Sequence, residues 1–290
     1  MEAGPSMTAG LESMPLLGGT GVFAAELRFA EHAEIVDSAA ELESLGYTAL
    51  WIPDVGGPVF EALDLLLGAT SAVTVATAVL NIWRHAAGDV AGWWEKLPED
   101  HRRRVMLGLG VSHAQMIGAE WRRPLAVMRE FLDSLDANGP PPHHRCLGAL
   151  GPKMLELARR RTSGAIPYLV TPEHTHAARK ALGDGGRLYV EQGIVFETDP
   201  AVAREIARAG IDIYCGLPNY VNNWKRLGFT DDDVASRSDR LVDGLIAWGD
   251  ADAIRDRLDA HRKAGADHVC IQVIHRPGAS SREAWRALAP

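Results

Sequence analysis

Cysteine is scarce in this chain. Cys146, Cys215 and Cys270 are the only three in 290 residues, they stand far apart, and none forms a CxxC pair. A disulfide scaffold and a cysteine-based zinc module are therefore set aside, and the three read as buried thiols of a reducing compartment. No apolar run approaches the roughly 20 residues that a membrane span needs. The opening stretch MEAGPSMTAGLESMPLLGG lacks a basic segment followed by a long apolar core, so it does not read as a secretion signal. Positive charge is in deficit: 30 Lys and Arg against 38 Asp and Glu leave a net charge of −8, which argues against a general nucleic-acid binder. GxSxG, HExxH, a Walker loop and a paired-carboxylate signature are all missing. What is present is the apolar content of a globular protein, 47%. The expectation is a cytoplasmic protein with a flexible tail at residues 1–14 and a single domain over 15–290.

Apolar runs and helical patterns alternate along the chain. Strand-like runs occur at 20–24, 48–52, 72–80, 105–111, 146–150, 165–170, 188–196 and 268–274, with helical spacing between them. Strands separated by helices must pair in parallel, because each return needs a crossover. Eight such units predict an α/β chain folded as a (β/α)8 TIM barrel. A doubly wound sheet is the competitor, but GGTG (18–21) precedes the first strand instead of following it, unlike a dinucleotide turn. Residues 199–247 show helices without an obvious strand, a helical insertion between the seventh and eighth strands.

A barrel places its site at the carboxyl ends of the strands, and this selects a few polar or unusual residues. Gly148 to Lys153 runs from a strand through a Gly-Pro turn into a helix, whose free N–H groups suit a phosphate; a plain turn shaped by Gly and Pro is the alternative. His113 follows LGLGVS, where Gly108 and Gly110 leave room for a ligand or a bulky neighbour. His113 would donate a hydrogen bond or proton there, or simply bond the rim. Asp54 ends the second strand and would contact a ligand or cap a turn. Trp83 and Arg84 follow the third strand, as pocket wall and anion holder or as helix packing. His143-His144 lacks a third ligand at metal spacing, so no metal site is expected. His174 and His176 read as solvated.

LGYTALWIPD (45–54), VATAVLNIW (75–83), LGLGVSH (107–113), ALGPKMLELA (149–158), LPNYVNNWKRLGF (217–229) and AGADHVCIQV (264–273) together resemble the luciferase-like monooxygenase superfamily. They are most similar to its coenzyme F420-dependent oxidoreductases. The resemblance spans nearly the whole chain. It implies a barrel that binds a flavin or 5-deazaflavin at its carboxyl mouth. It also implies a bulge with a non-proline cis peptide in the third strand at Thr77-Ala78-Val79, under the tricyclic ring. By the same resemblance the cofactor phosphate lies on Ala149, Leu150, Gly151 and Pro152, with further contacts from Tyr168 and Thr171, and Asn81 and Ser112 stand beside the ring site. The family often carries Asp-His at the end of the second strand. Here Asp54 is followed by Val55, which shifts the expected proton donor to His113. Trp51, Trp83, His113 and Tyr220 are candidates for the substrate wall, and Lys153, Arg84 and Arg179 for an acidic cofactor tail. The implied function is hydride transfer between F420 and a small organic substrate, in a homodimer. An FMN-dependent monooxygenase on the same barrel, or a non-catalytic barrel that binds a flavin-like ligand, are the alternatives.

Overall fold

Short runs rich in Val, Ile, Leu and Ala become strands here because helices cover one face and the barrel interior takes up the other. In the computed structural model, which describes residues 17–290, the strands are β1 (Thr20–Phe23), β2 (Ala49–Ile52), β3 (Thr74–Asn81), β4 (Val105–Gly110), β5 (Arg145–Leu147), β6 (Gly164–Ala165), β7 (Arg187–Val195), β8 (Ile246–Trp248) and β9 (His268–Val273). The tail expected at residues 1–14 lies outside the described residues. Strands β1 to β7 follow one another around a ring that β9 closes by pairing with β7 and β1. Every pairing is parallel, so the chain is a (β/α)8 barrel. Many of the helices start on a proline in the first turn, as at Pro152, Pro172, Pro200 and Pro218, where a missing N–H costs nothing.

Two elements differ from the sequence reading. The sixth strand is only Gly164–Ala165, because residues 166–170 leave the ladder early. The stretch 199–247 ends in a strand, β8, that its helical composition concealed. Ile194 pairs with Val273 of β9 and with Ala247 of β8. Since a strand has two edges, β8 occupies the edge of β7 that the short β6 leaves open.

The bulge in β3 explains the glycines of β4. Register between β3 and β4 shifts between Thr77 and Leu80, and the Ala78–Val79 peptide is cis, at the bond the resemblance singles out. A Cβ on Gly108 would stand 2.2 Å from the Thr77 carbonyl oxygen, one on Gly110 2.1 Å from Val79 Cγ2, and one on Gly148 3.2 Å from Val79 Cγ1. Gly108 and Gly110 therefore make room for the neighbouring strand, not for a ligand.

Below the bulge the barrel is packed shut. Trp51, Ala76, Met106, Cys146, Ile166, Tyr189 and Cys270 form one buried interior cluster. Trp51 is fully buried, and its Nε1–H donates to His268 Nε2 at 3.1 Å. Trp51 is therefore floor packing and not substrate wall. Cys146 and Cys270 are buried as expected, whereas Cys215 is only partly so. His268 donates from Nδ1 to the Gly18 carbonyl, and His261, also fully buried, lies between Thr175 and Gln192. Burial lowers His268 to about 4 and His261 to about 3, so both are neutral in the fold. The unfolded chain protonates them near 6.5. Their cost is absent above that pH and grows as pH falls toward 4, by about 1.4 kcal/mol per pH unit for each. Urea midpoints measured from pH 7 to 4.5 should fall steeply, and His261→Gln should flatten the slope. An unchanged slope in that variant would contradict the assignment.

Candidate active site

The rim on the β3 to β5 side is partly open. Ala78, Val79, Asn81, Trp83, Ser112, His113, Leu150 and Gly151 are all half-exposed there. Ala78 and Val79 present the small surface of the bulge. Asn81 is held by its backbone N–H on Asp54 and by its side-chain oxygen, which accepts from the Trp83 N–H. Trp83 donates from Nε1 to the Val111 carbonyl at 2.6 Å and stacks on Trp121, 5.7 Å between ring centres. This places an aromatic wall at the rim, to which Trp121 was not assigned from sequence. Ser112 has a φ of 56°, a left-handed conformation at the turn that presents His113.

His113 Nδ1 lies 3.1 Å from Asn219 Oδ1. The amide oxygen only accepts, so the imidazole proton sits on Nδ1 and Nε2 keeps its lone pair. Burial lowers the His113 pKa against the raising effect of that hydrogen bond. With Nδ1 engaged by Asn219, Nε2 is the ring nitrogen left for a ligand.

Asp54 does not face the mouth. Its side chain is 1% exposed. Oδ2 accepts from the Asn81 N–H at 3.0 Å and pairs with His85 Nε2 at 2.9 Å, while Oδ1 lies 3.7 Å from Arg28 Nη1. Arg28 also donates to the carbonyls of Pro53, Gly56 and Gly57. The carboxylate thus ties three loops together and is not placed to act on a ligand. Two further assignments change. Thr77 is fully buried, with its hydroxyl donating to Gly108. Thr171 is 4% exposed and uses its hydroxyl to cap the following helix at the His174 N–H. Neither presents a side chain to a cofactor.

The turn after β5 keeps its anion-binding features. Helix Pro152–Arg161 begins at Gly151 with no side-chain cap. Ala149 packs its methyl into the core, which leaves the backbone as its contact surface. Leu150 accepts from His174 Nε2 at 3.0 Å, so His174 is buried, not solvated. Arg226 Nη2 stands 3.8 Å from where a Gly151 Cβ would lie and donates to Asn223 Oδ1. The Asn223 Nδ2 is buried without a partner. Arg179 bonds Gly183, Gly186, Gly265 and Asp267 beside the start of β9, at the opposite end from the mouth.

The β6 to β9 side is closed by tyrosines. Tyr168 donates to Gln272 Oε1 at 2.9 Å, and Tyr214 donates to the Tyr168 hydroxyl at 3.3 Å. Tyr220 packs against Tyr214 and His113, with ring centres 4.9 and 5.6 Å apart. Beneath them lies Glu191, which the sequence reading passed over. It is 1% exposed, and burial pushes its carboxyl up to about 8.

The luciferase-like monooxygenase family profile matches residues 14–268. The chain belongs to this family. Membership places it among oxidoreductase and monooxygenase enzymes. A 5,10-methylenetetrahydromethanopterin reductase of Methanolobus tindarius is 26% identical over 282 residues, covering 84% of this chain and 82% of that protein. Among solved structures, an F420-dependent secondary alcohol dehydrogenase bound to an F420-acetone adduct is similar at a TM-score of 0.68 and 16% identity, covering 89% and 94% of the two chains. The FMN-bound oxygenating component of 3,6-diketocamphane monooxygenase from Pseudomonas putida reaches 0.63 at 14% identity, covering 94% and 96%. The structure of this luciferase-like chain fits a phosphorylated ring cofactor on its own terms: an uncapped helix start, an adjacent guanidinium, an orphaned buried amide and a half-exposed bulge stand on one side of the mouth. Among the described residues no helix is long and apolar enough to cross a membrane, and no cluster of three metal-ligating side chains occurs.

Proposed function

We propose that the protein transfers a hydride between coenzyme F420 and a small organic substrate. The observation that carries this reading is the pairing of the β3 bulge with the helix start at Gly151, seen in a chain similar to an F420-dependent enzyme. The bulge supports the ring, the Gly151 turn with Arg226 and Asn223 takes the phosphate, and Trp83 with Trp121 walls the substrate side. The bound deazaflavin supplies the hydride-carrying carbon. His113 Nε2 stands ready to accept the proton of a substrate hydroxyl, and Tyr220 packs against it. The homodimer expected from the resemblance is part of this reading and is checked by light scattering.

The test is a fluorescence titration with F420 and, separately, with FMN. Saturation by F420 at micromolar concentration, with FMN weaker by about 1.4 kcal/mol or more, a tenfold difference, is the expected result. Preference for FMN would make the protein a flavin monooxygenase instead. Binding of neither would leave a non-catalytic barrel.

A further inference from the structure

The backbone of His113 is fixed from both sides. Ser112 before it turns through the left-handed region, with φ 56°. The four-residue helix Ala114–Ile117 after it returns the Met116 and Ile117 N–H groups to the His113 carbonyl at 3.0 Å. A fixed backbone still leaves an imidazole free to turn about χ2 and to carry its proton on either nitrogen. Both freedoms are restrained from across the mouth. Asn219, 106 residues further along the chain, meets Nδ1 through its side-chain oxygen at 3.1 Å. The Tyr220 ring packs beside the imidazole at 5.6 Å and 48°. Both residues belong to the helix Pro218–Arg226. That helix is anchored, because Trp224 is fully buried and donates to the Leu169 carbonyl at 3.0 Å. Asn219 itself is exposed, so its amide is not needed to complete the core.

We propose that Asn219 is a positioning residue of the site: its amide oxygen holds the His113 proton on Nδ1 and fixes the ring plane, so that Nε2 meets the ligand as an acceptor. The inference rests on the oxidoreductase reading for the identity of the ligand, while the pair of side chains stands without it. A neutral histidine in water keeps its proton mainly on Nε2, and such a ring would present a donor to the mouth instead. A hydrogen bond of this kind shifts a two-state balance by up to about tenfold, which is enough to reverse that preference. The titratable rings that face His113 are Tyr220 and, behind it, Tyr214. Burial raises both tyrosines, so they keep their protons across the neutral range. Burial lowers His113 itself, with Asn219 as the opposing influence, so the ring is neutral at pH 7 and its tautomer is open to selection.

The test is a long-range nitrogen–proton NMR spectrum of the imidazoles of the purified full chain at pH 7. The His113 signals, one set among 11 histidines, are identified by their loss in His113→Gln. The expected result is a proton on Nδ1 in the wild type and on Nε2 in Asn219→Leu. Asn219→Asp keeps an acceptor in place and adds a negative charge, so it should raise the His113 pKa by about 1–3 units. A residue that only packs there would leave that titration where it was. Should a variant not fold, the wild-type tautomer decides alone. A wild-type ring protonated on Nε2, or a His113 titration unmoved in Asn219→Asp, would overturn the proposal. F420 added to the same samples separates the two readings: failure to bind removes the cofactor assignment and leaves the tautomer to report on Asn219.

Discussion

Replacing Asp54 by alanine should cost about 3–5 kcal/mol of folding stability, because it strands a buried arginine. Asp54 and Arg28 each expose only 1% of their side chains. Burial already lowers the Arg28 pKa, and Asp54 is the first opposing influence. The variant leaves the guanidinium with three carbonyl acceptors and no counter-charge, and it frees the Asn81 N–H and His85 as well. Urea unfolding reads the loss directly. Turnover per folded molecule should fall less than about tenfold, or 1.4 kcal/mol. A stability change under about 1 kcal/mol accompanied by lost turnover would return Asp54 to the chemistry.

Trp224→Ala is the second large change. Trp224 is fully buried, donates from Nε1 to the Leu169 carbonyl at 3.0 Å, and packs 6.0 Å from the Tyr220 ring. Truncating a buried tryptophan costs about 3–5 kcal/mol. The loss falls on the helix Pro218–Arg226 that also carries Tyr220, Asn223 and Arg226, so the tyrosine cover and the Gly151 turn loosen together. Trp224→Phe keeps the ring and forfeits the hydrogen bond, so its cost should be about 1 kcal/mol from that source. F420 affinity should weaken in Trp224→Ala at temperatures where the variant is still folded. Unchanged affinity would mean that the helix contributes nothing to the phosphate side.

Periodicity reports how an element divides its own faces, and this is why the barrel was readable. The runs at 105–111 and 268–274 each match a strand to within a residue or so. The Gly-Pro turn at 151–152 opens a helix, as local chemistry requires. What stayed hidden depends on partners distant in sequence. Asp54 looked like a strand-end acid because Arg28 and His85 lie 26 and 31 residues away. Trp51 looked like a pocket wall because nothing local reveals that its indole meets His268 across the barrel. Glu191 sits in LYVEQGIVF as one polar residue of an alternating strand, and only the closed ring shows that its face is the interior. β8 was lost because three residues carry too little pattern.

The β3 bulge ties distant positions together in descent. Gly108 and Gly110 lack side chains because Thr77 and Val79 occupy that space. A lineage that straightened β3 would remove the pressure on both glycines. A lineage that gained a side chain at Gly108 first would lose the barrel wall before it could adapt. The bulge and its glycines are therefore inherited or abandoned as a set, and substitutions among these positions should be strongly correlated across descendants of this chain.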